Sequence, residues 1–245
     1  MTLKKNIPNL LTLGNLFCGT VATIFAVQDN FTLAGLFVAI GIFFDFFDGF
    51  VARILNVSGE LGKQLDSLAD MVTSGVVPGI IMFNLLANKQ TVSFNFNNEL
   101  VLHSYVPFFG LMVTLGACYR LAKFNIDKKQ LDSFIGLPTP AMSLFVISLP
   151  FIKEYTNFEF VQNLIDNNYF LCMITLLLTY LMNAELPLFS LKFKEYSIKN
   201  NLIKYLFIIV SILMIIFLKY ISIPLIIVVY VVLSLISNYR KKLEF

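Results

Sequence analysis

Apolar residues fill the chain in long runs, and most polar and charged residues fall between those runs. A helix that crosses a membrane needs roughly 20 mainly apolar residues. The pattern therefore predicts an all-α polytopic membrane bundle of about eight transmembrane helices, the fifth and eighth of them short. No internal repeat or linker interrupts them, so one domain over residues 1–245 is the simplest organisation. The approximate bounds of the helices are 9–28, 31–55, 65–87, 105–124, 140–152, 169–186, 202–219 and 223–237.

The composition agrees with a lipid environment. Hydrophobic residues make up 58% of the chain and charged residues 13%, whereas soluble domains carry about 25% charged residues. The net charge of +3 comes without a basic patch interleaved with aromatics, so nothing indicates a nucleic-acid partner. Cys18, Cys118 and Cys172 are far apart in apolar stretches, which indicates neither a disulfide framework nor a zinc site.

Basic residues predict the orientation, because they favour cytoplasmic loops. If both termini are cytoplasmic, the eight-helix layout leaves only Lys89, Lys153 and Lys219 of the 18 basic residues on the outside. We therefore expect an integral protein of the cytoplasmic (inner) membrane, with its termini and its active site on the cytoplasmic side.

Four carboxylates interrupt the apolar pattern of the second and third helices. Asp45 and Asp48 are three residues apart, and Asp66 and Asp70 are four apart, so each pair shares one helix face. A carboxylate at the centre of a membrane helix costs about 2.5–3.5 kcal/mol. The short connection at 56–62 makes the two helices antiparallel neighbours, so the four carboxylates can converge.

Such a cluster needs a positive partner, and the basic residues close to it in the sequence, Arg53 among them, are too few to neutralise four carboxylates. Oxygen ligands without His or Cys suit Mg²⁺, Mn²⁺ or Ca²⁺. Four carboxylates could hold two such ions, the arrangement that serves displacement at phosphorus. Gly49 and Ala52 follow Asp45 on the same face, where small side chains let a bulky ligand or another helix approach.

The whole segment, Asp45-x2-Asp48-Gly49-x2-Ala52-Arg53-x8-Gly62-x3-Asp66-x3-Asp70, resembles the signature of the CDP-alcohol phosphotransferases at every fixed position. Three further stretches, 7–19, 120–125 and 136–141, resemble bacterial and archaeal members of the integral-membrane type that make phosphatidylserine. The resemblance implies the family's helical membrane fold over roughly the first six helices. It also implies transfer of a phosphatidyl group from CDP-diacylglycerol to L-serine, which gives phosphatidylserine and CMP.

The resemblance implies a role for each signature residue. Two divalent ions, Mg²⁺ or Mn²⁺, would be held by Asp45, Asp48, Asp66 and Asp70. Asp70 would also be the general base for the attack of the serine hydroxyl on phosphorus. The CDP moiety would contact Gly49, Ala52, Arg53 and Gly62. No organic cofactor is expected; the expected partners are the two substrates and membrane lipids, and a homodimer is compatible.

The acceptor pocket is predicted from Arg120, Asn125 and Thr139. Arg120 could grip the serine carboxylate through two parallel N–H bonds, or it could be an ordinary interfacial anchor. Thr139 could be only the N-cap of a helix with Pro140 in its first turn. The first helix adds a polar face that either lines the site or satisfies helix ends, formed by Asn9, Thr12 and Asn15.

Two alternatives stay open. The same chemistry could use glycerol-3-phosphate or inositol, although a phosphorylated acceptor should need several convergent basic residues, which Arg120 and Lys123 supply only in part. A divalent-cation transporter is the alternative from a different class. Against it, the acidic residues gather toward one membrane face and do not run along a pore.

Overall fold

The computed structural model describes residues 2–57, 59–87, 92–94, 100–102, 105–126, 134–188 and 198–243. Almost all of this part of the chain is helical. Its helices are α1 (Thr2–Val27), α2 (Phe31–Ile54), α3 (Glu60–Met71), α4 (Val77–Leu86), α5 (Met112–Ile126), α6 (Thr139–Tyr155), α7 (Glu159–Ile165), α8 (Asn168–Asn183), α9 (Ile198–Leu218) and α10 (Ser222–Leu243). Two antiparallel ladders of short strands join β1 (Val92–Phe94) to β2 (Leu100–Leu102) and β3 (Phe134–Ile135) to β4 (Pro187–Leu188).

Helices α1 and α2 form an antiparallel pair along most of their length. The turn between them is tight, with Asp29 at a φ of 58°. The side chain of Asn30 caps α2 by accepting a hydrogen bond from the Leu33 N–H at 3.1 Å. This pair carries the first two acidic residues of the signature on one side of the bundle.

Helices α3 and α4 form one long helix with a π-helical turn, Val72–Val76, between them. That turn begins two residues after Asp70. A π turn contains an extra residue, which changes the faces that the following helix presents, and such turns are frequent at functional sites. Thr114 on α5 donates a hydrogen bond to the Gly75 carbonyl inside this turn at 2.9 Å.

A short 3-10 helix, Val106–Leu111, leads into α5, and α7 meets α8 at an angle of 71°. The β3–β4 ladder ties the segment before α6 to the segment after α8. Gly136 next to it has a φ of 71°, and a Cβ there would lie 2.5 Å from the Met182 carbonyl oxygen, so only glycine fits. The apolar core lies where these helices meet and includes Ala22, Val38, Ile81, Val113, Val146 and Leu171.

Helices α9 and α10 form a hairpin at the C-terminal end. Lys219, between them, has a φ of 49°, and the rings of Phe207 and Tyr230 lie 5.8 Å apart. In one continuous helix these two residues would be roughly 34 Å apart. The hairpin is mostly exposed. Of an apolar stretch of 18 residues within it, 6% is buried, whereas 50% is buried in the corresponding stretch of the helix that runs from α3 to α4.

The structure supports a helical membrane protein. Within the described residues, four helical segments are long and apolar enough to cross a membrane, or five if the bent pair α7–α8 is one span. A count of eight crossings is not confirmed on this measure, although a helix lies at each of the eight predicted positions. The four segments are 6–27, 31–54, 60–86 and 201–237.

Several details differ from the sequence predictions. The third helix begins at Glu60 and not near residue 65, because a polar turn precedes its apolar stretch. The helix predicted to end at 186 ends at Asn183, since the chain then pairs as β4. The predicted N-cap at Thr139 is wrong: Pro138 occupies that position and no side chain caps α6. Lys89, one of the three basic residues predicted on the outside, lies outside the described residues.

Candidate active site

Three of the four signature carboxylates converge where the C-terminal part of α2 meets the start of α3. Asp45 and Asp48 come from α2 and Asp66 from α3. One carboxylate oxygen of each lies within 4.8 Å of the other two, and Asp48 is buried at 6% exposure. Among the described residues this is the one group of three or more acidic, His or Cys side chains that come so close together.

The chemistry of this donor set fits a hard divalent cation. All three donors are carboxylate oxygens, the ligands that Mg²⁺, Mn²⁺ and Ca²⁺ prefer. In the part of the chain that the structure describes, the salt bridges are Lys123–Glu185 and Lys153–Asp166, so no Lys or Arg neutralises the cluster. Clustered like charges away from bulk water require such neutralisation, and a bound cation would supply it.

Asp70 is not one of these three mutually close carboxylates. It lies one helical turn beyond Asp66 on α3, and its Oδ1 accepts a hydrogen bond from Nδ2 of Asn15 at 3.1 Å. The fourth acidic residue of the signature is therefore held by α1. The structure thus places Asp70 outside the group of three carboxylates, with Asn15 of α1 as its hydrogen-bond partner.

The polar face of α1 points into this region. Thr12 donates a hydrogen bond to Oδ2 of Asp48 at 2.5 Å, and Asn15, one turn later, binds Asp70. Of the two interpretations that the sequence left open, the structure favours lining the site over satisfying helix ends. The signal was present in the sequence: polar residues at positions 9, 12 and 15 repeat at three-residue spacing in the otherwise apolar stretch 7–19.

A cavity of about 580 Å³ opens beside the carboxylates, between the start of α1, the end of α2 and the start of α3. Its volume falls within the usual range for small-molecule sites, about 300–1,000 Å³. Asp48 and Asp66 form part of its wall, so an ion held there would face the cavity. Its other lining residues include Asn9, Thr12, Gly49, Ala52, Gly62 and Lys63.

The structure brings three of the four predicted CDP-contacting residues to this cavity: Gly49, Ala52 and Gly62. A Cβ at Gly49 would meet nothing within 4 Å, which shows that this part of α2 faces open space. Arg53 is exposed and is not among the residues that line the cavity. The position of Arg53 therefore does not test its predicted contact with the nucleotide.

Arg120 is buried on α5, where its Nη1 donates hydrogen bonds to two backbone carbonyls. The acceptors are the oxygens of Ile135, at 2.9 Å, and of Met182, at 2.7 Å. These bonds join α5 to the β3 segment and to the end of α8. The guanidinium is thus a structural anchor in this state, and its Nη1 hydrogens are already used.

The other two predicted acceptor residues occupy different places. Asn125, near the end of α5, accepts hydrogen bonds from Lys63 through its backbone oxygen at 2.6 Å and from Ser67 through Oδ1 at 3.1 Å. It therefore joins α5 to the part of α3 that carries Asp66. Thr139 is buried at the first position of α6.

With this geometry in place, comparison with known proteins identifies the class. The chain belongs to the CDP-alcohol phosphatidyltransferase family, whose family model matches residues 5–181. The match includes the four aspartates, the polar face of α1 and most of α8. The hairpin α9–α10 lies outside it.

Individual relatives are similar over the same part of the chain. The CDP-diacylglycerol–serine O-phosphatidyltransferase of Bacillus subtilis (strain 168) is 36% identical over 149 residues, which cover 59% of this chain and 75% of that protein. The protein of the same name from Saccharomyces cerevisiae (strain ATCC 204508 / S288c) is 32% identical over 169 residues, 62% of this chain and 55% of that one. The archaetidylserine synthase of Methanothermobacter thermautotrophicus is 28% identical over 145 residues, 58% and 56% of the two chains. The chain thus spans slightly more than half the length of the last two relatives.

Proposed function

We propose that the protein transfers the phosphatidyl group of CDP-diacylglycerol to L-serine and releases CMP. The observation that carries the proposal is the convergence of Asp45, Asp48 and Asp66 beside a cavity of about 580 Å³, in a chain of this family. The names of the bacterial and yeast relatives supply serine as the acceptor and CDP-diacylglycerol as the donor.

The carboxylates divide into two roles in this proposal. Asp45, Asp48 and Asp66 bind two divalent ions, Mg²⁺ or Mn²⁺, with Asp70 at the edge of that site. When bound, such ions neutralise the pyrophosphate charge and polarise the phosphorus. The cavity beside Asp48 and Asp66 receives the CDP moiety, because Gly49, Ala52 and Gly62 leave its wall open. Arg53, at the end of α2, meets the nucleotide phosphates from outside the cavity.

Asp70 is the general base. It accepts the proton of the serine hydroxyl while the hydroxyl oxygen forms a bond to the phosphatidyl phosphorus and the bond from that phosphorus to the CMP oxygen breaks. Its place one helical turn beyond Asp66, outside the group of three, supports this role, since a base must reach the acceptor and not only the ions. The products are phosphatidylserine and CMP, with the proton on Asp70.

The acceptor pocket lies on the α5 side of α3 in this proposal. Asn125 contacts the same part of α3 that carries Asp66 and Asp70, which supports a place for it at the edge of the pocket. Arg120 would present its Nη2 and Nε hydrogens to the serine carboxylate while Nη1 remains on backbone carbonyls. Thr139 lies in the first turn of α6.

The membrane layout completes the proposal. We infer eight crossings, since a helix lies at each of the eight predicted positions and the chain reverses direction between α9 and α10. The termini and the carboxylates then face the cytoplasmic side of the inner membrane. Cysteines introduced at Lys63 and at Glu159 in a cysteine-free protein should label from opposite sides; labelling from one side would contradict this layout. A homodimer, to be checked by mass in detergent, is the remaining part of the proposal.

One assay tests the function. The purified full-length protein receives CDP-diacylglycerol, Mn²⁺ or Mg²⁺, and one of three acceptors: serine, inositol or glycerol-3-phosphate. CMP release should require the metal and should be fastest with serine. Preferred turnover of inositol or glycerol-3-phosphate would keep the chemistry and overturn the acceptor. Absence of CMP release with every acceptor would overturn the function.

A further inference from the structure

A hydrogen-bonded chain of three side chains crosses from α1 to the π turn behind Asp70. Thr73, in the π turn, donates to Oδ1 of Asn15 at 2.8 Å, and Nδ2 of Asn15 donates to Oδ1 of Asp70 at 3.1 Å. Asn15 and Thr73 are both at 0% exposure. The bond between Thr73 and Asn15 is therefore shielded from water, where such bonds are stronger than at a surface, and Asp70 at the end of the chain is half-buried.

Thr73 and Asp70 contact opposite ends of the Asn15 amide. An asparagine side chain has an accepting oxygen and a donating nitrogen that are nearly the same size, so its neighbours decide its orientation. An ionised Asp70 carboxylate can only accept and therefore takes the nitrogen, and the Thr73 hydroxyl, which can donate, holds the oxygen at the other end. Thr73 is also within 3.2 Å of the Asn15 backbone oxygen, so both Asn15 oxygens lie on its side.

Two glycines hold this chain tightly. A Cβ at Gly19 would lie 2.3 Å from Oγ1 of Thr73. A Cβ at Gly41 would lie 2.9 Å from both Oδ1 of Asn15 and Cγ2 of Thr73. A larger residue at position 19 would push on Thr73, and one at position 41 would push on both Thr73 and Asn15, so α1, α2 and the π turn meet there with no spare room.

We propose that Asn15 is a positioning residue for Asp70, with Thr73 setting its orientation. The inference rests on the proposed function, in which Asp70 is the base. By binding Oδ1, the amide would fix the carboxylate plane and leave Oδ2 to accept the proton of the acceptor hydroxyl. Supporting groups of this kind are typically worth about 10–100-fold in activity or metal affinity, because a base must be held close to its productive geometry.

Thr12 provides a contrasting case on the same helix. It donates to Oδ2 of Asp48, one of the three convergent carboxylates. Loss of that bond should therefore raise the Mn²⁺ concentration needed for activity. Loss of the Asn15 bond should instead lower kcat at saturating Mn²⁺ and leave Mn²⁺ affinity unchanged.

The test compares four variants of the full-length protein. Asn15→Leu removes the amide at similar volume, Thr73→Val removes the orienting hydroxyl at nearly constant shape, and Thr73→Ser retains it. Thr20→Val is the matched control, because the Thr20 hydroxyl is exposed and donates only to the Leu16 carbonyl of its own helix. The measurements are kcat, KM for serine and for CDP-diacylglycerol, and Mn²⁺ binding without substrate.

We expect kcat to fall by about 10–100-fold in Asn15→Leu and Thr73→Val, with Mn²⁺ binding and the KM for CDP-diacylglycerol unchanged. Thr73→Ser should recover most of the activity, and Thr20→Val should behave as the wild type. Recovery by serine is the result that a purely structural role of residue 73 would not give.

Three outcomes would overturn the inference while the wild type remains active: near-normal kcat in Asn15→Leu and Thr73→Val, an equal loss of Mn²⁺ affinity, or failure of both variants to fold. The last would show that the contact is needed for folding and not for positioning. A wild-type protein that releases no CMP would instead overturn the proposed function, so the two failures are distinguishable.

Discussion

The helices that carry the aspartates and the C-terminal hairpin are both apolar, but they differ in how far other helices cover them. Helices α1 to α3 bury polar side chains against one another, and each of these has a partner from a different helix. The hairpin α9–α10 presents most of its apolar side chains outward and lies beyond the part that the family model matches. In a membrane, where lipid already solvates apolar groups, close helix contacts depend on small residues and hydrogen bonds. We therefore predict that the effect of a substitution on stability or activity depends on the contacts that the residue makes with other helices and not on its hydrophobicity.

The largest effect should come from the three convergent carboxylates. Asp66→Asn keeps the size of the side chain and one oxygen but removes its charge, which a hard cation needs most. We expect turnover to fall below detection at Mn²⁺ concentrations that saturate the wild type, with weaker Mn²⁺ binding. Asp45→Asn and Asp48→Asn should behave alike. Unchanged Mn²⁺ binding in all three variants would contradict the ion site.

The next largest effect should come from Asp70. Asp70→Asn should slow turnover by about 10²–10⁴-fold, the usual contribution of a general base, while Mn²⁺ and CDP-diacylglycerol still bind. Single-turnover CMP release together with equilibrium Mn²⁺ binding measures both. If excess Mn²⁺ restores the rate, Asp70 is a ligand and not the base.

Two glycines of α2 have different surroundings: Gly41 lies at a contact between helices, and Gly49 lies in the wall of the cavity. Gly41→Ala would place a methyl group 2.9 Å from Asn15 and Thr73 and should destabilise the protein by about 1–3 kcal/mol, as overpacking does. Gly49→Ala meets nothing within 4 Å and should leave thermal stability intact. Its added methyl group should raise the KM for CDP-diacylglycerol, because the cavity is the proposed CDP site. Equal stability of the two variants would contradict the packing described for α1 and α2.

The smallest effect should come from the hairpin. Ile216 is 63% exposed, so Ile216→Ala should change stability by no more than about 0.5 kcal/mol, as is usual for surface positions. Ile81 is at 0% exposure in the core, and Ile81→Ala should cost about 2–5 kcal/mol. Denaturation in mixed micelles compares the two. A similar loss in both variants would contradict the exposed position of the hairpin.

The sequence alone predicted a helical membrane protein and the location of its chemistry. Runs of apolar residues mark helices whatever their neighbours are, and the spacing of Asp45, Asp48, Asp66 and Asp70 places each pair on one helix face. The connection at 56–62 was short enough to make α2 and α3 antiparallel. These features are local, so they can be derived from spacing and helical periodicity.

Features that depend on contacts between distant segments were not predictable in this way. Arg120 illustrates this, because its hydrogen bonds run to Ile135 and Met182, and only packing brings those carbonyls to α5. The π turn after Asp70 and the short β3–β4 ladder likewise have no strong signal of their own in the sequence.

Helical periodicity depends on spacing alone, so the order of the residues was enough to show which helix faces the four carboxylates share. The distances between those faces depend on how the helices pack. That packing gathers Asp45, Asp48 and Asp66 and leaves Asp70 to Asn15. The physical reason is that α1 approaches α2 and the π turn at Gly19 and Gly41, and the direction of a hydrogen bond between helices depends on that approach.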